Sequence, residues 1–372
     1  MKQAKEWYVI DNIDEVDSPA LVLYPERINE NIRQAMRMAG NVHRLRPHVK
    51  TNKCRETMEL MTGRGIYKFK CATIPEAETL AMCNAKDVLL AYQPVAPRLE
   101  RLISLIKEYP STKFSCLVDN KASARLISEA CRNANVQLSV YIDLDLGMHR
   151  TGIAPGEATL ELYAYCAEQS NIQPVGLHAY DGHIRNPDIN DRTIACNDAF
   201  AGVIKLKELI VSRELPEPII IAGGSPTFPI HALREGVECS PGTFIYWDHG
   251  YATMCPEQPF LPAAVLVTRV ISTPGHTRIC LDLGHKGVAA ENPLSSRAHF
   301  LNAQGLVPVS QSEEHLVMEA GPNHGYNVGD VLYALPFHVC PTVALYERAY
   351  VAENNRITGE WKTIARDRKL VY

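Results

Sequence analysis

Hydrophobic and polar positions alternate in two different ways along the 372 residues of the chain, and the change falls near residue 252. Between about residues 43 and 250, short apolar runs alternate with longer segments in which apolar residues recur every three or four positions. This pattern predicts eight strands separated by helices, the strands being VHRLRPHV (42–49), IYKFKCA (66–72), DVLLAY (87–92), KFSCLVD (113–119), LSVYIDLD (138–145), QPVGLHAY (173–180), PIIIAG (218–223) and TFIYWD (243–248).

Eight strands alternating with helices are typical of a (β/α)8 barrel. An open doubly wound sheet produces a similar pattern, but the number of repeats favours the barrel. After residue 252 the strand-like segments alternate with Gly, Pro and Asn turns, which predicts a separate β-domain. We therefore expect a barrel over residues 25–252 and a β-domain formed by residues 1–24 with 253–372, because DSPALVLY (17–24) is expected to pair with the later strands.

Composition narrows the function only a little. The net charge is −4 and the basic residues form no runs, so no nucleic-acid partner is expected. No segment approaches the ~20 apolar residues of a membrane helix, and the N-terminus lacks the apolar core of a secretion signal. The 11 cysteines form no CxxC pair, which fits a reducing compartment, and we expect a cytoplasmic protein.

Lys50 follows the first predicted barrel strand, at the end where barrel active sites form. Partial burial there would lower the pKa of its amine and allow Schiff-base chemistry. Arg46 and His48 alternate with Lys50 on one predicted strand face, which favours a ligand site. A surface lysine just past a strand is the simpler alternative.

A predicted anion site follows the seventh strand, in AGGSPT (222–227). Gly223 and Gly224 permit a close backbone approach and Ser225 adds a hydroxyl, while Gly242 and Thr243 stand on the neighbouring turn. Phosphate sites of barrels often use the loops after strands seven and eight, so these residues predict a phosphate cradle. A plain glycine turn remains the alternative.

Two further loops carry candidate residues of the barrel mouth. Arg150 follows strand five, where it would bind a phenolate or carboxylate, or instead form a salt bridge with Asp143 or Asp145. Tyr180 and His183 follow strand six, where they would pack on a cofactor or move protons, or serve only as loop residues.

A candidate metal pair lies in PFHVCPT (336–342). His338 and Cys340 stand two residues apart on a predicted strand, so both side chains would point to one face. An imidazole and a thiolate suit zinc or another borderline metal, with water and substrate completing a catalytic site. The alternative is a buried cysteine near a hydrogen-bonded histidine.

Together these motifs resemble the alanine-racemase-like (fold type III) pyridoxal-phosphate enzymes. RPHVKTNK, GLHAYDGH, AGGSPT, PGT, SEEH (312–315) and PFHVCPT are similar to the D-threonine aldolase and D-serine dehydratase group over nearly the whole chain.

The resemblance implies that Lys50 carries pyridoxal 5′-phosphate and that Arg150 binds its 3′-oxygen. It implies phosphate contacts from the cradle residues and a divalent metal on His338 and Cys340, with zinc expected before manganese or magnesium. It also implies a homodimer. From their positions at strand ends we further expect cofactor contacts from His48 and Tyr180, and catalytic roles for Tyr180 and His183.

Three departures from the family pattern refine this expectation. Ser240 stands where alanine racemases place an arginine against the pyridine nitrogen, which argues against that type of racemase. The His-x-Cys pair matches zinc D-serine dehydratases, whereas D-threonine aldolases tend to have Asp at the second position. Asn186 occupies the place of the histidine base of some aldolases, and His183 is a candidate substitute.

These features predict a lyase for β-hydroxy D-amino acids, small substrates that would be split by retro-aldol cleavage or by elimination of the hydroxyl. The alternatives are an amino-acid racemase of the same fold, a non-enzymic pyridoxal-phosphate carrier, and a metal-dependent barrel hydrolase without this cofactor.

Overall fold

A computed structural model describes residues 5–372, so the first four residues of the predicted β-domain lie outside the described residues. The chain forms two compact units. One comprises residues up to Arg33, Thr51–Glu56 and Thr243–Arg366, and the other Gln34–Lys50, Thr57–Gly242 and Asp367–Tyr372. None of the helices within the described residues has both the length and the apolar character that crossing a bilayer requires.

The strands are β1 (Ala20–Leu23), β2 (Lys68–Cys71), β3 (Asp87–Leu90), β4 (Lys113–Val118), β5 (Leu138–Asp143), β6 (Ile172–Ala179), β7 (Ile219–Ala222), β8 (Val237–Cys239), β9 (Ala264–Ser272), β10 (Arg278–Leu281), β11 (Ala298–Phe300), β12 (Val307–Gln311), β13 (Leu316–Glu319), β14 (Val331–Pro336), β15 (Arg348–Glu353) and β16 (Arg356–Lys362).

The helices are α1 (Pro25–Ala39), α2 (Arg55–Thr62), α3 (Ile74–Met82), α4 (Arg98–Glu108), α5 (Lys121–Ala134), α6 (Glu157–Ala167), α7 (Ile189–Ser212), α8 (Phe228–Ala232), α9 (His249–Met254) and α10 (Val339–Val343). Side chains cap the starts of several, because an N-terminal turn leaves backbone N–H groups without partners. Thr73, Asn120 and Asp188 accept such bonds at α3, α5 and α7.

The barrel unit is a parallel sheet in the order β2 to β8, with helices in most of the connections. Most of its strands are short, largely apolar runs buried on both faces, as expected for a parallel sheet under helices. The predicted fold class is confirmed as alanine-racemase-like, but with seven regular strands rather than eight.

The first predicted strand (42–49) is wrong as a regular strand. Val42–Arg44 forms a 3-10 turn, and the chain then makes only isolated parallel bridges, from Leu45 to Cys239 and from His48 to Lys70. These bridges place the segment between β8 and β2, where it joins both edges of the sheet. Pro47 lacks an N–H group, so a continuous ladder cannot form here.

The eighth predicted strand (243–248) is also wrong. Thr243–Ile245 is a 3-10 turn, and the last strand of the sheet is the three-residue β8. Pattern reading missed β8 because Glu238, a charged residue, occupies its centre. That carboxylate is buried inside the barrel, where it accepts a hydrogen bond from Arg46 Nε at 2.7 Å and pairs with Lys68.

Arg46 therefore has a structural role rather than the ligand-site role suggested by its spacing from Lys50. Its guanidinium is completely buried and binds both carboxylate oxygens of Asp87, at 2.7 and 2.9 Å, in addition to Glu238. Asp87 and Lys68 begin their strands, so this ion-pair network fills the N-terminal end of the barrel.

The β-unit contains one sheet in the order β12-β13-β10-β9-β1-β15-β16, with β14 also pairing with β9 and β11 with β14. The pairing predicted for DSPALVLY is confirmed, since β1 lies antiparallel to β9 and parallel to β15. Alternate residues of these strands, among them Val22, Val265 and Val267, form the core of this unit with Tyr8 and Tyr333.

We predict that Arg46→Met lowers the free energy of unfolding by about 3–5 kcal/mol, because it leaves Asp87 without its cation and Glu238 with Lys68 alone. Urea unfolding followed by circular dichroism measures the change. Arg213→Met is the matched control, since Arg213 pairs with Glu157 on the exposed surface of the same unit. Equal stability of the two variants would contradict the structural role of Arg46.

Candidate active site

Lys50, Tyr180 and Arg150 come together at the C-terminal end of the barrel. Lys50 lies in the turn after the segment that joins the two sheet edges, and its Nζ is 6.0 Å from the centroid of the Tyr180 ring. The guanidinium carbon of Arg150 is 5.3 Å from the same centroid. His48 supports the turn, since its Nδ1 accepts the backbone N–H of Lys50 at 3.2 Å.

Arg150 does not form either salt bridge considered from the sequence. Asp143 binds His178 at 2.7 Å and Asp145 binds His149 at 3.0 Å, so both carboxylates have other partners. Within residues 5–372 no carboxylate pairs with Arg150, and its charge remains available to an anion at the Tyr180 ring.

The two glycine-containing loops also meet. The N–H of Gly242, after β8, donates to Ser225 Oγ, after β7, at 3.4 Å. Gly223 has a φ of +80°, and a Cβ there would lie 2.8 Å from His231, so the turn requires glycine. Its N–H donates to the carbonyl of Ala179, so its contribution is the shape of the turn. A Cβ on Gly224 would lie 3.3 Å from Tyr180, so the backbone passes close to that ring.

A buried polar cluster that the sequence analysis missed supports this loop. Asp181, directly after Tyr180, accepts hydrogen bonds from the Thr227 hydroxyl at 2.7 Å and from His231 Nε2 at 2.8 Å. The Thr227 hydroxyl in turn accepts the N–H of Gly224 at 3.3 Å. Burial opposes the ionised form of Asp181, but the bonds from His231 and Thr227 hold its pKa below the usual value.

Cys196 lies 3.4 Å from His231 Nε2 and completes a group with Asp181. Within the described residues this is the one set of three His, Cys, Asp or Glu side chains whose donor atoms converge. It is fully buried, and the Asp181–His231 hydrogen bond explains its geometry without an ion. Within the HAYDGH motif, Asp181 could have indicated this cluster, because an Asp just after a strand end often fixes a loop through hydrogen bonds.

A second polar group lies inside the barrel below the Tyr180 ring. His178, on β6, is bound by Asp143 of β5 through Nδ1 at 2.7 Å, and its Nε2 is 3.3 Å from Lys70 Nζ of β2. Burial and the charge of Lys70 lower the pKa of His178. The neutral imidazole then donates from Nδ1 and accepts from Lys70 at Nε2.

His183 has an exposed side chain, and its Nε2 would lie 3.1 Å from a Cβ built on Gly147. The imidazole therefore lies against the loop that follows β5 and precedes Arg150. Asn186 is exposed, and its carbonyl accepts a hydrogen bond from Arg192 at 2.8 Å.

In the β-unit, His338 and Cys340 are not on a strand, which corrects the prediction. β14 ends at Pro336, His338 precedes α10 and Cys340 lies in its first turn. The two side chains still meet, since His338 forms a side-chain hydrogen bond with Cys340. This hydrogen bond is the main cause that raises the pKa of His338 to about 9. His338 Nδ1 is also 2.5 Å from Glu291 Oε1.

Cys340 Sγ lies 3.1 Å from the Thr51 hydroxyl and 3.7 Å from that of Thr243. Thr243, expected in the phosphate cradle, thus directs its hydroxyl to Cys340 within the β-unit. An imidazole and a thiol are donors that suit zinc or another borderline metal, so His338 and Cys340 fit the expected ion.

The barrel residues likewise fit pyridoxal phosphate. Lys50 is a half-exposed amine beside an aromatic ring, Arg150 adds a cation, and a Cβ at Gly224 would lie only 3.3 Å from that ring. An aldehyde, an aromatic ring and an anionic group require such partners.

Comparison with known proteins agrees with this architecture. Residues 24–249 match the family model described as the alanine racemase N-terminal domain, and residues 263–352 match a putative serine dehydratase domain. The chain therefore belongs to the alanine racemase N-terminal domain family, and the resemblance inferred from the motifs is confirmed.

The individual relatives share about a quarter of their aligned residues with this chain. A D-threonine aldolase of Arthrobacter sp is 26% identical over 364 residues, which cover 96% of this chain and 94% of the relative. A D-threo-3-hydroxyaspartate dehydratase of Delftia sp. (strain HT23) is 26% identical over 242 residues, covering 64% and 63%. The crystal structure of D-threonine aldolase from Filomicrobium marinum has the same fold, with a TM-score of 0.87 at 24% identity over 98% of this chain and 99% of that one. Pyridoxal phosphate is the cofactor expected of this family.

We predict that Asp181→Asn weakens the binding of pyridoxal phosphate about tenfold or more, because the loop at Gly224 loses its charged anchor. Equilibrium dialysis of the purified variant measures the affinity. Asp188→Asn is the control, since Asn also caps a helix and Asp188 caps α7. An unchanged affinity in Asp181→Asn would show that the cluster does not position the loop.

Proposed function

We propose that the chain is a pyridoxal-phosphate- and divalent-metal-dependent lyase that acts on β-hydroxy D-amino acids. The observation that carries the proposal is the Tyr180 ring, which has Lys50 and Arg150 within 6.0 Å and the glycine loop at its edge. The names of the relatives support the substrate class, since D-threonine and D-threo-3-hydroxyaspartate are both β-hydroxy D-amino acids.

In this proposal Lys50 holds the cofactor covalently and Tyr180 packs on its ring. Ser225, Gly224 and Gly242 hold the phosphate, for which the turn at Gly223 provides the shape. Thr243 remains a candidate phosphate contact through its backbone, which follows Gly242 directly. Arg150 binds the 3′-oxygen, and His48 orients the turn of Lys50 through its hydrogen bond.

When bound, the cofactor supplies an electron sink for negative charge at the substrate α-carbon, and the metal supplies Lewis acidity. The two candidate reactions differ in the base that the chain provides. For retro-aldol cleavage, His183 accepts the proton of the β-hydroxyl group. For elimination, Lys50 accepts the proton of the α-carbon. The Cys340 thiol beside His338 favours elimination. The exposed imidazole of His183 is a base for retro-aldol cleavage, so that reaction stays the second candidate.

We further propose zinc on His338 and Cys340, with manganese or magnesium as alternatives, and a cytoplasmic homodimer. The domain limits at residues 24/25 and 252/253 likewise stay a prediction. Racemization is the less favoured activity, because Ser240 occupies the position of the arginine that alanine racemases place against the pyridine nitrogen. Its hydroxyl is buried and donates to the carbonyl of Arg46 at 3.1 Å, so no cation stands at this position. A non-enzymic carrier of the cofactor does not need the donor set of the β-unit.

We predict that borohydride reduction of the yellow holoprotein, followed by peptide mapping, finds the pyridoxyl adduct on Lys50. Lys50→Ala should lose the visible absorbance band and all lyase turnover, because no amine replaces it at the end of that turn. Lys86→Ala, which alters an exposed lysine of the same unit, should retain both. A colourless wild-type protein, or an adduct on another lysine, would overturn the proposed function.

We predict that His338→Ala loses bound metal and at least about 100-fold in turnover but keeps its visible absorbance, since the loss of an outer partner of a ligand already costs ~10–100-fold. Metal analysis and product assays with D-threonine and D-serine measure both effects. Acetaldehyde with glycine identifies the aldolase, and pyruvate identifies the dehydratase. His276→Ala, an exposed histidine of the same unit, is the control. Activity on L-isomers only would contradict the substrate class.

A further inference from the structure

Lys70 is a buried cation of the barrel that has no role in the proposed function. It lies on β2 with 2% of its surface exposed, and its Nζ is 5.4 Å from the centroid of the Tyr180 ring. Its hydrogen-bond partner is His178 Nε2, at 3.3 Å. No carboxylate in the described part of the chain forms an ion pair with it. A buried ammonium group without a counter-charge is unfavourable, so the group loses its proton more readily unless a ligand supplies a negative charge.

The charged groups around Lys70 are already paired or are themselves positive. Asp143 is bound by His178, and Asp181 is bound by His231 and Thr227. Arg46 is neutralised by Glu238 and Asp87. The remaining neighbours at the Tyr180 ring, Lys50 and Arg150, are cations.

Lys70 is therefore poised between its two protonation states. Burial first, and then the charge of Lys50, lower the pKa of Lys70 to about 7. Near neutral pH the free protein contains both the ammonium and the amine form. An anion that binds beside the amine stabilises the ammonium form and raises this pKa.

We infer that Lys70 is a further binding residue for pyridoxal phosphate. Its side chain supplies a positive charge to the anionic side of the cofactor and takes up a proton as the cofactor binds. The glycine loop lies at the Tyr180 ring edge near Gly224, where the phosphate is expected. The anionic group left for Lys70, together with Arg150, is the phenolate oxygen beside the aldehyde. The inference rests on the proposed function in taking Lys50 as the site of the cofactor.

The coupling has a defined sign. Below pH 7, Lys70 is already charged in the free protein, so binding takes up no proton at this residue. Above pH 7 the free amine is neutral and the bound one is charged, so binding takes up to about one proton. By linkage, the contribution of Lys70 to affinity is full below pH 7 and falls by up to about tenfold per pH unit above it, until the pH passes the raised pKa of the complex.

Isothermal titration calorimetry with 4-deoxypyridoxine 5′-phosphate tests this inference. The ligand lacks the aldehyde, so it leaves Lys50 unmodified, and titrations in two buffers of different ionisation enthalpy report the proton uptake. At pH 8 we expect wild type to take up more protons than Lys70→Met, by a difference approaching one. At pH 6.5 Lys70→Met should bind about tenfold or more weakly.

Lys70→Arg keeps the charge at all these pH values. It should therefore lose the extra proton uptake while retaining the affinity of wild type at pH 6.5, which distinguishes a charge effect from misfolding. Lys86→Met should behave as wild type in both measurements.

The two proposals fail in different ways. If Lys70→Met matches wild type in proton uptake and affinity while its pyridoxal phosphate is still reduced onto Lys50, the inference about Lys70 is wrong and the proposed function stands. If wild type binds neither compound, both are wrong.

Discussion

Uncompensated positive charge at the C-terminal end of the barrel is the constraint on which the site depends. Lys50, Lys70 and Arg150 all lie within 6.0 Å of one aromatic ring, that of Tyr180. Like charges brought together in a partly buried place repel one another, and the cost falls when an anion enters. The arrangement is therefore suited to a ligand that is both aromatic and anionic.

At the opposite end of the same barrel, buried charges are neutralised within the protein. There Arg46 and Lys68 face Glu238 and Asp87, so each buried charge has a counter-charge. This end contributes stability, and the C-terminal end contributes binding, which is the usual division in barrels of this kind. The difference lies in pairing, because both ends contain buried polar groups.

Position along the chain predicted that the candidate loop residues would share one end of the barrel. Arg150, Tyr180 and the glycine loop follow strand ends, and Lys50 follows the segment that bridges β8 and β2. Parallel strands bring their C-terminal ends to one edge whatever the details of packing. The same reasoning failed for polar residues within strands. Lys70 and Glu238 were not recognised as interior residues, and only the folded barrel shows what each of them faces. The Asp181 anchor went unrecognised because His231 is 50 residues away in the chain.

The sequence by itself determined the alternation of strands and helices in most of the barrel, the change to a β-domain and the family, because apolar periodicity and short motifs are local properties. It also indicated the His338–Cys340 pair, although on the wrong element. Only the tertiary structure decided which charges are neutralised, that Pro47 leaves seven regular strands, and that Thr243 faces Cys340. The physical reason is that pairing and desolvation depend on distances between residues far apart in the chain, which no local pattern records.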